Sequence, residues 1–452
     1  MHKDIISCII ICSLKNERVF NSQMKNTYID ITQLVHWPGR LTGIPRVMQE
    51  LSLRYAHKKN THFVVWDKAA NCFFELDTEK SLSRRGEGIF YKTSTITGSN
   101  SEIRTGLREE LVDQLKQVGR LLKKYNPDLH LKIATRFNHH ILGIQGPPVI
   151  LNASDELFIL WGEWSDKRFL NAVIEAHSSG VTLVHVVYDM LPILTPQFSG
   201  HSTCTMNVYY RSILPLCRLV LSISESTRKD LTDWLIREKL DIPRIETFRL
   251  GDDFMLAKPT SPIDRNFKDG IKKDEPYLLC VGTVEARKNH MLLYYVYKLA
   301  QSRGIDLPKL VIVGRRGWRT DDILEIMTTD PEVKEKFIFI TNASDEELSW
   351  LYHHCLFTVY PSFYEGWGLP IAESIGYGKP CLASSTSSMM EIAGELLSYF
   401  NPASSEECLV GIMQLLDPMN LEAAKVKIGK YKITKWEDTY RRVAHLVESK
   451  DA

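Results

Sequence analysis

Residues 360–380 read YPSFYEGWGLPIAESIGYGKP, and this stretch decides how the rest of the chain is read. It holds two carboxylates, Glu365 and Glu373, around the turn Gly366-Trp367-Gly368-Leu369. Pro370 and an apolar run follow and predict a helix, because proline has its φ preset and needs no N–H in a first helical turn. Free N–H groups and the dipole at a helix start attract anions, and glycines let a phosphate come close to the backbone. Glu373 should fall about two turns into that helix, at ~3.6 residues per turn. A carboxylate there can accept hydrogen bonds from a diol such as a ribose. One short segment thus carries the groups needed for a sugar, a phosphate and a ribose, the parts of a nucleotide sugar.

Strand-like and helix-like segments alternate on both sides of this stretch, which predicts an α/β architecture with parallel sheets. In the first half the candidate strands are 28–31, 63–66, 157–160, 182–187, 219–223 and 245–250. In the second half they are 277–281, 309–313, 337–340, 357–360 and 380–383. They are short, apolar and β-branched, as strands buried on both faces should be. Ser344-Asp345-Glu346-Glu347 is a capping box ahead of a helix at 348–353. Residues 255–275 hold two prolines, several charges and little periodicity, and read as an interdomain linker. The organisation expected is two doubly wound, Rossmann-like domains, 25–254 and 276–434, facing across a cleft. Such domains bind ligands at the carboxyl ends of their strands.

Residues 68–150 fit this scheme poorly and are expected to be irregular or inserted. Within them Leu107, Leu111, Leu115, Val118 and Leu122 recur at helical spacing, with Arg108, Lys116, Arg120, Lys123 and Lys124 between. This pattern suits an amphipathic helix covering the first sheet, or a basic face against a bilayer or lipid carrier. Glu109, Glu110 and Asp113 dilute the charge and favour the first reading.

The chain has 452 residues, enough for two or three domains, and a formal charge of +1. That balance gives no reason to expect a nucleic-acid partner. Nine cysteines are scattered without a C-x-x-C pair, as in a reduced, cytoplasmic protein. No apolar run is long enough to span a bilayer. The sequence IISCIIICSL at 5–14 resembles a signal-peptide core, but Asp4 precedes it and no small-residue cleavage site follows. Residues 1–23 are therefore expected to be a loose tail, or to lie upstream of a start at Met24. No Asp-x-Asp pair of the kind that holds a divalent cation occurs, and no metal is expected.

The central stretch resembles the donor-binding signature of the retaining, family-four GT-B glycosyltransferases. That signature runs Pro-Ser, two residues, Glu-Gly-aromatic-Gly-Leu-Pro, and a second Glu eight positions after the first. Pro361, Ser362, Glu365, Gly366, Trp367, Gly368, Leu369, Pro370 and Glu373 match it, and Gly378-Lys379-Pro380 fits the turn that follows. The string VGTVEARKN at 281–289 resembles the family's strand-to-turn for the diphosphate, with Gly282 and Lys288 in place. Thr283 stands where the family usually has arginine, and Arg287 can supply the missing charge. Read without the resemblance, Arg287 and Lys288 are equally well a pair of surface cations after a strand. Thr42-Gly43-Ile44-Pro45-Arg46 resembles the glycine loop of the first domain, loosely. At Tyr188-Asp189 the family has His-Asp, so a histidine's role does not carry over, while Asp189 remains. Trp436 precedes a helix at 439–447 that in this family crosses back to the first domain, placing residues 435–452 there.

The resemblance implies that the second domain binds the donor and the first the acceptor. Lys288, Arg287 and the N–H groups from Gly366 to Leu369 would hold the leaving diphosphate without a metal. Glu373 would hold the ribose, and Glu365 sugar hydroxyls and the anomeric charge. The string GTVEARKN is similar to a branch rich in GDP-mannose users, so GDP-mannose is the expected donor, with no further cofactor. UDP-hexose or dTDP-rhamnose is the alternative. The expected acceptor is a growing or lipid-linked glycan of O-antigen, capsule or exopolysaccharide synthesis. An epimerase of the same fold and a non-catalytic sugar-binding subunit are the competing classes.

Overall fold

The computed structural model describes residues 25–37, 43–76, 146–199, 203–253, 271, 275–317 and 320–449. The tail at 1–23, the helix expected around 107–122 and nearly all of the linker lie outside the described residues.

Two sheets form, of seven and six strands. The first contains β1 (Thr27–Asp30), β2 (Thr61–Asp67), β3 (Cys72–Glu75), β4 (Glu156–Ile159), β5 (Thr182–Val187), β6 (Leu219–Ser222) and β7 (Arg244–Thr247). Their order is β3-β2-β1-β4-β5-β6-β7. The second contains β8 (Tyr277–Val281), β9 (Lys309–Val313), β10 (Phe337–Ile340), β11 (Thr358–Tyr360), β12 (Cys381–Ser384) and β13 (Ser398–Phe400), ordered β10-β9-β8-β11-β12-β13. Every strand anticipated from the sequence is present, with ends shifted by a few residues.

Two strands escaped the sequence pattern. β3 lies inside the span read as irregular and pairs antiparallel with β2, Val64 opposite Glu75 and Trp66 opposite Phe73. Its turn is built by Asp67, whose carboxylate accepts from the N–H groups of Ala69 and Ala70 at 2.7 and 2.9 Å, and by Asn71 at φ 56°. Neither signal is strong in the string DKAAN. β13 has three residues, one of them exposed, and is too short to show a period.

The strands that were legible are legible for one reason: all four residues of β6 and β12 are buried, so both faces must be apolar or small, and in β4 the run at 157–159 is likewise buried. The capping box at Ser344 is formed, with Ser344 Oγ accepting from the Glu347 N–H at 3.1 Å and the Glu347 carboxylate accepting from the Ser344 N–H at 2.6 Å. A cap of this kind contributes about 1 kcal/mol. The seven described cysteines are unpaired.

The C-terminal helix Trp436–Glu448 packs on the first sheet's side of the molecule. Tyr440 stands edge-on to Tyr55 at 5.1 Å, and the Arg218 guanidinium donates to the Val447 carbonyl at 2.8 Å. One apolar core joins Ile29, Val47, Leu51 and Val186 of the first sheet's side to Trp367, Ile371 and Ile392 of the second. Arg249 ties the two sides at the crossover. It donates to the Ile392 carbonyl at 2.8 Å and the Tyr431 hydroxyl at 2.6 Å, with its guanidinium 5.0 Å from the Trp367 ring centre.

Candidate active site

Both sheets reverse their strand order beside the first strand, between β1 and β4 and between β8 and β11. Loops leaving the carboxyl ends at such a point diverge and leave a crevice. The loops after β8 and β11 are therefore brought together, although Arg287 and Tyr364 are 77 residues apart in sequence. Asn289, buried and left-handed at φ 57°, fastens them: its side-chain amide donates to the carbonyls of Pro361 at 3.1 Å and Pro402 at 2.9 Å. The Phe363 N–H donates to the Arg287 carbonyl at 3.0 Å.

The charged centre lies in this seam. Glu365 is buried, with one carboxylate oxygen 2.6 Å from Lys288 Nζ and the other 2.6 Å from the Arg287 guanidinium. The Tyr360 hydroxyl donates to the Lys288-facing oxygen at 3.0 Å. Arg287 also pairs with Glu285 at 2.5 Å and donates to the Tyr364 carbonyl at 2.9 Å. Lys288 and Arg287 are thus not loose surface cations. Burial alone would raise the Glu365 carboxyl, but Arg287 and Lys288 outweigh it and hold it at about 2. Burial and then Arg287 repulsion bring the Lys288 ammonium below its ordinary value, with Glu365 opposing. The two directions agree, because Arg287 attracts the carboxylate while it repels the ammonium. Two cations, Arg287 and Lys288, and two carboxylates, Glu285 and Glu365, balance one another.

The glycine turn follows Glu365 directly and packs against the first domain. Gly366 is demanded by its neighbour across the cleft: a Cβ there would lie 2.2 Å from the Tyr188 carbonyl oxygen. Gly368 opens the helix Leu369–Gly376 at φ 115°, a conformation that a side chain rarely adopts, with Pro370 in the first turn. Gly366, Trp367 and Gly368 are all buried, and their N–H groups make no hydrogen bond among the described residues. A buried N–H without a partner costs about as much as a lost hydrogen bond. Three in succession, ahead of a helix start and directly after the Glu365 that both cations hold, are groups of the kind an anion engages. The Trp367 side chain does not line this seat; it is buried under Arg249.

Glu373 sits just over one turn into the helix, nearer its start than the sequence estimate. Its carboxylate accepts from the Tyr352 hydroxyl at 3.0 Å and faces Arg46 at 3.7 Å. Arg46 comes from the other domain. Gly43, at φ 59°, precedes the helix Ile44–Tyr55, and Arg46 lies in that helix's first turn. Asp189 follows β5, accepts from the Leu191 N–H at 3.0 Å and lies beside Gly366. Burial, offset in part by Arg287, raises its carboxyl. Tyr188 is buried with its hydroxyl unpartnered.

The structure thus brings Glu365, Lys288, Arg287, Gly366 and Asp189 into one seam, with Gly282 at its edge against Lys288, while Gly368 and Leu369 open the helix that follows. Glu373 and the Gly43 helix meet at a second point of the cleft. Four residues of this arrangement escaped the sequence reading as site residues: Arg46, Glu285, Tyr352 and Tyr360. Arg46 and Tyr360 lie inside quoted motifs, but only their contacts reveal them. Tyr352 has no local signal at all. Among the described residues no group of three or more metal-ligating side chains gathers.

Residues 263–430 match the family model described as Glycosyl transferases group 1. The match covers the domain built on β8–β13. Among curated proteins the chain is 25% identical over 232 residues to the serotype-specific mannosyltransferase WbdA of Escherichia coli, covering 50% of this chain and 28% of the relative. It is 29% identical over 208 residues to the O-antigen chain mannosyltransferase B of Escherichia coli, covering 45% of this chain and 52% of the relative. The chain thus spans about half the length, or less, of these relatives. Among solved structures, Anabaena Alr3699/HepE in complex with UDP and glucose superposes with a TM-score of 0.57 at 15% identity, over 94% of this chain and all of that one. The fold is GT-B, as the alternation of segments and the central signature led one to expect.

Proposed function

We propose that this protein is a retaining glycosyltransferase that moves mannose from GDP-mannose to a growing cell-surface glycan, O-antigen, capsule or exopolysaccharide. The observation that carries the reading is the set of three buried, unengaged N–H groups at Gly366, Trp367 and Gly368 beside Lys288 and Arg287. The diphosphate of a nucleotide sugar would sit there. As the bond from the anomeric carbon to the diphosphate breaks, negative charge grows on the leaving oxygen. Lys288, Arg287 and these N–H groups stabilise it without needing to reorganise. Glu365 holds both cations in place and stands ready to meet sugar hydroxyls and the anomeric charge. Asp189 steers the acceptor hydroxyl from the first domain. No metal takes part in this reading. The acceptor is a glycan or lipid-linked glycan, and the reaction belongs at the cytoplasmic side. Mannosyltransfer by both E. coli relatives supports the sugar.

A donor-hydrolysis assay tests the class. A transferase slowly releases nucleoside diphosphate from its donor; an epimerase interconverts the sugar nucleotide, and a sugar-binding subunit leaves it intact. Either of the last two outcomes ends the proposal.

Two further results follow. Glu373→Ala should raise the Michaelis constant for donor more than it lowers kcat, because a ribose contact is made equally in ground and transition states. An unchanged constant would remove the ribose role and leave Glu373 as the partner of Arg46 and Tyr352 alone. GDP should bind about tenfold to a hundredfold tighter than UDP, since a base edge left without its partner costs ~1–3 kcal/mol. Isothermal titration of both nucleotides decides this. The UDP held by the Anabaena protein supports the second reading, a UDP-hexose donor, and UDP binding as tightly as GDP would select it.

A further inference from the structure

Between positions 418 and 435 the chain carries five lysines and one glutamate, although its overall formal charge is only +1. Lys425 pairs with that glutamate, Glu422, at 3.3 Å. Lys427, Lys430 and Lys432 are exposed, and their side chains have no hydrogen-bond or ion-pair partner among the described residues. Between and beside them stand aliphatic side chains in water: Met419 is 81% exposed, Val426 65% and Ile433 53%.

The segment is firmly mounted. The helix Pro418–Ile428 ends in a tight turn, in which the Lys430 N–H donates to the Lys427 carbonyl at 3.2 Å and the Tyr431 N–H to the Ile428 carbonyl at 2.9 Å. Ile428 is buried, and Tyr431 hydrogen-bonds to Arg249 and Asp252 at the crossover. The Asp252 N–H donates to the Thr434 carbonyl at 2.8 Å. Ile428 and Tyr431 turn inward, while Val426, Lys427, Lys430, Lys432 and Ile433, beside and between them, stand exposed.

Unpaired lysines alone would suit any polyanion. Lysines interleaved with exposed Val426 and Ile433 suit a surface that is anionic outside and apolar just beneath. We propose that residues 418–435 are the footprint by which this protein docks on an anionic lipid surface. The footprint belongs to the second domain and the crossover, and is a different stretch of sequence from 107–122, whose basic face the sequence had also suggested. It does not depend on the identity of the sugar donor. It would hold the cleft close to a lipid-borne acceptor while leaving both domains free at their far edges.

The test is co-sedimentation of the full chain with vesicles of phosphatidylcholine containing about a third phosphatidylglycerol, against vesicles of phosphatidylcholine alone. Each lysine near such a surface contributes about fivefold to partitioning. Lys427→Gln, Lys430→Gln and Lys432→Gln together should therefore weaken binding about a hundredfold, and raised salt should weaken the wild type. A control with the same charge change elsewhere, Lys59→Gln, Lys167→Gln and Lys334→Gln, should bind within a fewfold of wild type. Val426→Ser with Ile433→Ser should weaken vesicle binding several-fold and leave binding to soluble dextran sulfate unchanged. The proposal fails if the wild type ignores anionic vesicles, if the control loses as much as the triple variant, or if the serine pair has no effect on vesicles. That last outcome, with tight dextran sulfate binding, would make the partner a soluble polyanion.

Discussion

Lys288→Ala should lower turnover by about a hundredfold or more, the scale seen when a donor that stabilises transition-state charge is removed. Lys288 lies 2.6 Å from Glu365 with little of its side chain exposed. Its charge is held in a dry seam, where electrostatic contributions exceed those at the surface. Steady-state kinetics with saturating donor decide the matter, and turnover near wild type would reduce Lys288 to a structural cation. Arg287→Ala tests the neighbouring charge. If Arg287 replaces the arginine missing at Thr283, the double variant should lose far more than either single one. Equal losses in single and double variants would mean that the two cations act as one unit through Glu365.

Glu365→Gln should destabilise the fold by about 3 kcal/mol or more, although it changes almost no volume. Breaking a buried ion pair from one side leaves an uncompensated charge, which costs about 3–5 kcal/mol. Here the carboxylate serves two cations, and Glu285 offers a second partner to Arg287 only. Urea unfolding measures the change, and a shift below about 1 kcal/mol would show that water reaches the seam. The pH dependence carries the same information. The Glu365 carboxyl is depressed from 4.5 to about 2, so its contribution is fully present above 4.5. It should be lost progressively as pH falls through about 2. In Glu365→Gln that part of the acid sensitivity should be missing. Activity should also fall, since both cations would lose the group that aims them.

The central stretch could be read because its signals are local. Turn glycines, Pro370 in a first helical turn and carboxylates at fixed spacing all act within one or two turns of chain. Strands buried on both faces announce themselves by apolar runs, which is why β4, β5, β8 and β9 were legible. β3 and β13 were not, since one rests on a hairpin without glycine and the other has only three residues. The Ser344 capping box was legible for the same local reason.

What the sequence determined by itself was therefore the α/β architecture, the glycine-turn segment at 360–380 and the residue types Glu365, Glu373, Arg287 and Lys288. Only the tertiary structure decided what these residues touch. Adjacent pairing of β8 and β11 sets Lys288 against Glu365 across 77 positions of chain. Packing of the two domains sets Gly366 against Tyr188 and Arg46 against Glu373. The division has a physical cause. Backbone preference and helix dipoles depend on neighbours within a few residues, whereas burial, ion pairing and the depressed Glu365 carboxyl depend on groups that meet only when the sheets close over them. A sequence lists the charges; the fold sets their distances, and distance sets their strength.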